Sequence, residues 1–148
     1  MKEIKGDIWD YHEQGNWIVI TTNGFVKRDS TCVMGRGTAR QAASKYPDLP
    51  YKLGHLISER GNCLHHDDNR GLIFFPVKHN WWEKADLELI EKSTKELVEL
   101  FDKHISDYPI PIYMVRPGCG NGQLDWKDVK PILEKYLDNR FMVVEKYN

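Results

Sequence analysis

Leu72-Ile73-Phe74-Phe75-Pro76-Val77 is a run of six side chains without a polar group, closed by Lys78. A strand with one wet face alternates apolar and polar residues, whereas a strand covered on both faces is apolar throughout. This run therefore belongs in the middle of a sheet with a layer on either side. Residues 17–22, Trp-Ile-Val-Ile-Thr-Thr, read the same way. Shorter apolar runs at 112–115 and 141–144 add two strands, and the weaker stretches 3–9 and 62–66 suit places nearer an edge. The total, about six, is ordinary for one sheet.

Helical patterns fall between these runs, at 38–45, 51–60, 84–105 and 126–138. The third is the clearest: Leu87, Ile90, Leu97, Leu100 and Phe101 mark one face, and Glu, Lys and Asp fill the other. In the last, Asp125 is placed as an N-cap, and Pro131 lies deep enough to predict a kink or a 3₁₀ start. Strands alternating with helices, with no repeat or low-complexity segment, predict a three-layer α/β/α sandwich around a mostly parallel, mixed central sheet. One domain covering 1–148 is the expectation for 148 residues with 41% hydrophobic composition.

Twenty-one basic and 22 acidic side chains leave a net charge of −1, so bulk charge draws the chain neither to nucleic acid nor to anionic lipid. Any contact with nucleic acid has to be local. No apolar run is long enough to span a bilayer and the first residues lack the apolar core of a signal peptide, which makes the cytoplasm the expected compartment and a membrane partner unexpected. Cys32, Cys63 and Cys119 are odd in number and widely spaced, as reduced thiols are. His65-His66-Asp67-Asp68 could hint at a metal, but neighbours on a strand point to opposite faces, and HHDDNRG reads better as a hairpin turn. No metal or organic cofactor is expected.

Two glycine-rich loops follow predicted strands and precede predicted helices: Val33-Met34-Gly35-Arg36-Gly37-Thr38 and Pro117-Gly118-Cys119-Gly120-Asn121-Gly122. Glycine lets successive backbone N–H groups form a concave nest and lets a phosphate approach without meeting a Cβ, and the helix N-terminus behind adds unpaired donors. Facing one crevice at the carboxyl ends of the strands, two such loops suit a diphosphate. Taken singly, each could be only a tight turn. Neither fits the phosphate loop GxxxxGK[ST] or the dinucleotide fingerprint GxGxxG, which weakens ATPase and NAD-dehydrogenase readings.

Taken in order, Gly6-Asp7-Ile8 on a first strand, a second strand ending Thr21-Thr22-Asn23-Gly24, the VMGRG loop and the PGCGNGQLDW segment resemble the macro-domain family over residues 6 to about 144. Within it, the MG-x-G loop and a lysine after a buried strand are similar to the bacterial DNA ADP-ribosyl glycohydrolase antitoxins and to the terminal ADP-ribose protein glycohydrolase. Three features depart from the pattern: Asn121 and Gly122 stand where the eukaryotic relative has an acid close behind its GCG, only Asn23 remains of the usual NAAN, and the stretch GFVKRDSTC at 24–32, which the sequence does not place, is longer than the loop of typical members.

The resemblance implies that ADP-ribose is ligand or product, and that the partner is ADP-ribose or an ADP-ribosylated macromolecule, with local contact to a modified nucleic acid as one form. It implies that Asp7 accepts from the adenine amino group with the Ile8 N–H nearby, that Asn23 reaches the distal ribose, and that Met34, Gly35, Arg36 and Gly37 face Gly118, Cys119, Gly120, Asn121 and Gly122 across the diphosphate. Arg36 can pair with phosphate or reach solvent. Cys119 reads as packing rather than as a nucleophile, because no matched base is identifiable. Lys78 divides the functional readings. Held among apolar neighbours it could lose its proton and attack C1″ of ADP-ribose, with Asn23 assisting; otherwise it is a strand-end lysine with its stem on Trp81 or Trp82. Three activities remain open: a hydrolase removing mono-ADP-ribose from a DNA base or protein side chain, a non-catalytic ADP-ribose reader, and an ADP-ribose 1″-phosphate phosphatase.

Overall fold

A computed structural model describes residues 1–146 and leaves 147 and 148, the end of the expected domain, outside the described residues. Six strands form one sheet: β1 (Lys2–Gly6), β2 (Ile18–Asn23), β3 (His65–Asp67), β4 (Leu72–Lys78), β5 (Ile112–Val115) and β6 (Phe141–Lys146). Their spatial order is β1-β6-β5-β2-β4-β3, and every pairing is parallel except the β3–β4 hairpin at one edge. Five helices connect them: α1 (Ile8–Glu13), α2 (Gly37–Lys45), α3 (Leu49–Arg60), α4 (Leu87–Lys103) and α5 (Trp126–Tyr136).

The apolar run of β4 is buried from Leu72 to Lys78 and serves two cores by strand alternation. Ile73, Phe75 and Val77 pack with Ile90, Leu97 and Phe101 of α4 and with Val129 and Leu133 of α5. Leu72 and Phe74 pack on the opposite face with Ile8 and Trp9 of α1, Ala39 and Ala42 of α2, and Leu49, Leu53 and Ile57 of α3. The result is the three-layer α/β/α sandwich expected. β3 reaches only to Phe74, so β4 is uncovered on that side where Pro76 stands, a place where a residue without an N–H is tolerated. The buried Ser93 hydroxyl donates to the Pro76 carbonyl at 2.7 Å.

Several local expectations shift. The stretch 3–9 is not one strand: β1 stops at Gly6, and Asp7, with extended backbone, caps α1 by accepting from the Trp9 N–H at 2.9 Å. The edge strand at 62–66 begins only at His65, because Gly61 ends α3 at φ 91° and the Asn62 side chain is drawn to the Lys78 carbonyl, 3.0 Å away. α4 starts at Leu87, where Asp86 accepts from the Glu88 N–H. Its buried face is Leu89, Ile90, Ser93, Thr94, Leu97 and Phe101, and Leu87 is left outside. Asp125 occupies the N-cap of α5 without a side-chain bond; its carbonyl accepts from both Asp128 N–H (3.0 Å) and Val129 N–H (3.3 Å), the first a 3₁₀-type bond. The helix then runs on through Pro131 to Tyr136.

HHDDNRG is the β3–β4 hairpin: His65 Nε2 lies 2.9 Å from the Gly61 carbonyl and His66 pairs with Asp68. Among the described residues no three His, Cys, Asp or Glu side chains converge as a metal site, and no helix is long and apolar enough to cross a membrane.

Candidate functional site

The carboxyl ends of β2, β4, β5 and β6 and the loops that leave them enclose a cleft of about 780 Å³, within the rough 300–1,000 Å³ range of small-molecule sites. The residues singled out from sequence, from Asp7 through Asn23, the Met34–Gly37 loop and Lys78 to the Gly118–Gly122 loop, all line it. The parallel sheet accounts for this convergence, since each loop leaves the same end of its strand.

The glycines differ in why they are there. Gly118 has φ 75°, and a Cβ on it would meet Ile90 Cδ1 at 2.9 Å; one on Gly122 would meet the Gly118 carbonyl oxygen at 2.5 Å. Those two are demanded by packing. A Cβ on Gly120 would have nothing within 4 Å, and one on Gly35 only Val33 Cγ1 at 3.9 Å, so the fold gives no reason for their bareness. Among the described residues the N–H groups of Gly35, Arg36, Gly37, Gly120, Asn121 and Gly122 have no acceptor. Two loops thus present free donors across one cleft, and α2 begins at Gly37.

Lys78 is 7% exposed, at the end of β4. Its Nζ donates to the Trp81 carbonyl at 3.3 Å and the Asn121 carbonyl at 3.4 Å, and among the described residues no carboxylate lies within ion-pair distance. Burial, and then the neighbouring Arg36 guanidinium, hold its pKa below the ordinary lysine range. Its backbone is fixed as firmly: the carbonyl accepts from the Gly24 N–H at 3.1 Å and from Asn62 Nδ2 at 3.0 Å.

Asn23 is committed at both ends of its amide. Nδ2 donates to the Val33 carbonyl and Oδ1 accepts from the Phe25 N–H, both at 2.9 Å, so the side chain clasps the segment 24–33. One N–H and one lone pair remain for a ligand. That segment, which sequence could not place, is a small hairpin with a Val26–Cys32 bridge, seated on α3 at Gly54, where a Cβ would lie 2.0 Å from the Ser30 carbonyl oxygen. Asp7, which lines the cleft, spends Oδ1 on its cap and makes no bond with Oδ2 among the described residues. Cys119 is half-buried, its thiol pushed up to about 11 by burial, which removes the thiolate from neutral pH.

The carboxylates of the cleft among the described residues are Asp7 and Glu145, both at the β1–β6 end, where Arg116 pairs with Glu145 at 3.4 Å and Lys146 also lines the wall; at the Lys78 end stand the cations Lys27 and Arg36. Trp81, named from sequence only as a neighbour of Lys78, also lines the cleft, as do Lys27, Gln41 and Arg116, which were not assigned from sequence. Gln41 had a signal, lying one helical turn after Gly37 on α2; it accepts from Trp9 Nε1 at 2.8 Å and so ties α1 to α2 beneath the cleft. Lys27 had none, because its position depends on how the hairpin folds back.

A mixed six-stranded sheet between two helical layers, with its cleft at the carboxyl ends, makes the chain a macrodomain by fold. The macrodomain of Mycobacterium tuberculosis DarG superposes with a TM-score of 0.73 at 22% identity, over 97% of this chain and 95% of that one. Thermosipho africanus DarTG, solved in complex with ADP-ribose, gives 0.72 at 21% identity, over 96% of this chain and 40% of the other.

Sequence similarity points to the same DarG branch. The chain is 24% identical to a DNA ADP-ribosyl transferase-DNA ADP-ribosyl glycohydrolase fusion protein of Thermosipho africanus, matching over 97% of its own length and 40% of that protein's. It is 29% identical to a DNA ADP-ribosyl glycohydrolase of Thermus aquaticus, over 84% of itself and 37% of that protein. The chain therefore spans no more than about 40% of these curated relatives. No family model matches it.

Proposed function

We propose that this macrodomain binds ADP-ribose and hydrolyses mono-ADP-ribose from a macromolecule, a DNA base or a protein side chain, with Lys78 as nucleophile. The observation that carries the reading is a buried lysine amine, without a carboxylate partner among the described residues, in the wall of a cleft whose loops offer N–H donors free within those residues. Its relatives named as DNA ADP-ribosyl glycohydrolases, and the ADP-ribose in the Thermosipho africanus structure, support it.

In the reaction the neutral amine attacks C1″ while the bond from C1″ to the base or side chain breaks. The attacking nitrogen becomes cationic and gives up a proton to the leaving group. Water then adds to C1″ and the lysine departs, so that one water is consumed and ADP-ribose is released. Among the described residues the Lys78 end of the cleft is lined by no carboxylate, which disfavours the paired-carboxylate route to glycoside hydrolysis. Asp7 would receive the adenine amino group and Asn23 the distal ribose, with the two loops holding the diphosphate between them. Three free thiols, Cys32, Cys63 and Cys119, suit a reducing compartment such as the cytoplasm.

Both bonds of Lys78 Nζ are donations, which an ammonium also makes, and this keeps a non-catalytic reader as the second reading. Release of ADP-ribose from modified DNA and modified protein, measured beside Lys78→Ala with ADP-ribose binding followed by calorimetry, separates the two. Loss of release with retained binding supports the hydrolase. Binding by the wild type without release from either substrate supports the reader, and phosphate release from ADP-ribose 1″-phosphate would favour a phosphatase instead.

A further inference from the structure

We infer that Trp82 and Phe25, beside the cleft-lining Trp81, form a stacking step that holds a nucleobase next to the ADP-ribosylated one on a single strand; this rests on the reading above that the cleft takes an ADP-ribosylated macromolecule, and narrows that substrate. Trp81 is 49% exposed and Trp82 59%, on a chain whose other tryptophans are half-buried or buried. Two adjacent exposed indoles are a cost to a folded surface, and the hydrophobic cores do not use either one.

The step is rigid. Trp82 meets Trp81 edge to face at 5.5 Å and Phe25 at 5.3 Å. The turn that carries the two indoles is closed twice, by Glu83 N–H to the Asn80 carbonyl at 3.2 Å and by Asn80 N–H to Glu83 Oε1 at 2.8 Å. It is also tied to the reacting end of the cleft, because Lys78 Nζ donates to the Trp81 carbonyl.

Charge selects the occupant. Lys27, on the hairpin whose Phe25 touches Trp82, and Arg36, close enough to depress Lys78, both line the cleft at this end. Asp29, bonded to Thr31, keeps its charge close to Lys27, and Glu83 keeps its own at the Asn80 N–H, whereas among the described residues Arg36 forms no ion pair. Flat exposed π-faces near the Arg36 guanidinium match a strand of bases and phosphates, since every base can stack and every linkage carries a negative charge. An ADP-ribosylated peptide offers the charge only through acidic side chains and has no regular π-face.

The test compares three ADP-ribosylated substrates: a single-stranded oligonucleotide modified on an internal base, the corresponding modified mononucleoside, and a modified peptide. In Trp82→Ala the ratio of kcat/KM for oligonucleotide over mononucleoside should fall by about 5- to 150-fold, the range of one lost base stack, and Trp82→Tyr should restore most of it. Affinity provides a readout independent of turnover. Lys78→Ala protein should bind the modified oligonucleotide more tightly than free ADP-ribose, and adding Trp82→Ala should erase that gain.

If the gain depends on Trp82 while the wild type releases nothing, the stacking step stands and the hydrolase reading falls. An unchanged ratio together with no gain in affinity would overturn the inference. So would an equal loss for the modified peptide, which would assign the rim to protein substrates.

Discussion

Gly118 and Gly120 lie two residues apart on one loop, and alanine at each should fail in opposite ways. At Gly118 a side chain is forced into φ 75° and its Cβ is driven against Ile90, Leu124 and Ala85, at 2.9, 3.0 and 3.1 Å. Backbone strain of about 1–3 kcal/mol and overpacking of about 1–3 kcal/mol together give roughly 2–6 kcal/mol. For a chain of this size that is a fall in Tm of roughly 5–20 °C.

At Gly120 φ is not positive and the new Cβ meets nothing within 4 Å, so Gly120→Ala should leave Tm within about 2 °C of wild type. The methyl group would instead occupy space that a diphosphate needs, and ADP-ribose affinity should drop at least about tenfold, or roughly 1.4 kcal/mol. Differential scanning fluorimetry and isothermal titration on the two variants read both quantities. Gly120→Ala with unchanged Tm and unchanged affinity would show that the second loop does not face the ligand, and the account of the cleft would be wrong.

Release should rise with pH through the depressed pKa of Lys78, because only the neutral amine attacks; Arg36→Ala removes the neighbouring cation, raises that pKa and should move the rising limb to higher pH in single-turnover profiles. Asn23→Ala loses both bonds that clasp the 24–33 segment and should cost about 1–3 kcal/mol, with earlier proteolytic cleavage inside residues 24–32 than in the wild type. Cys119→Ser should keep release within about twofold of wild type, because a thiol held near 11 supplies no thiolate at neutral pH; a larger loss in a stably folded variant would reopen a role for Cys119.

The central strands were legible because β2 and β4 are buried on both faces, and continuous apolar sequence states that without knowledge of the partners. The edges were not: residues 3–9 mix a strand with a capped helix, and only the conformation of Asp7 marks the junction. α4 was placed correctly along the chain, and Ile90, Leu97, Leu100 and Phe101 of its expected face do meet the core; Leu87 does not, and Ser93 and Thr94, buried by bonding to the Pro76 and Ile90 carbonyls, complete the face in a way hydropathy cannot anticipate.

At the site, glycine spacing before two helices located both loops, yet it could not separate Gly118 and Gly122, required by packing, from Gly35 and Gly120, which face open space. The pairing of Asn23 with its own hairpin was likewise hidden. It depends on Val33 and Phe25 returning to the end of β2, a tertiary fact with no local signature.

The central claim is that the Lys78 amine reaches C1″, and chemical trapping tests it most directly. Ring-open ADP-ribose presents C1″ as an aldehyde, which condenses with a neutral amine to an imine and loses water; borohydride then reduces the imine to a stable secondary amine. After brief exposure to ADP-ribose and borohydride, peptide mapping should find the adduct on Lys78 ahead of every other lysine, and Lys78→Arg should lack it. An adduct spread over the surface lysines, with Lys78 unmodified while ADP-ribose is bound, would contradict the account.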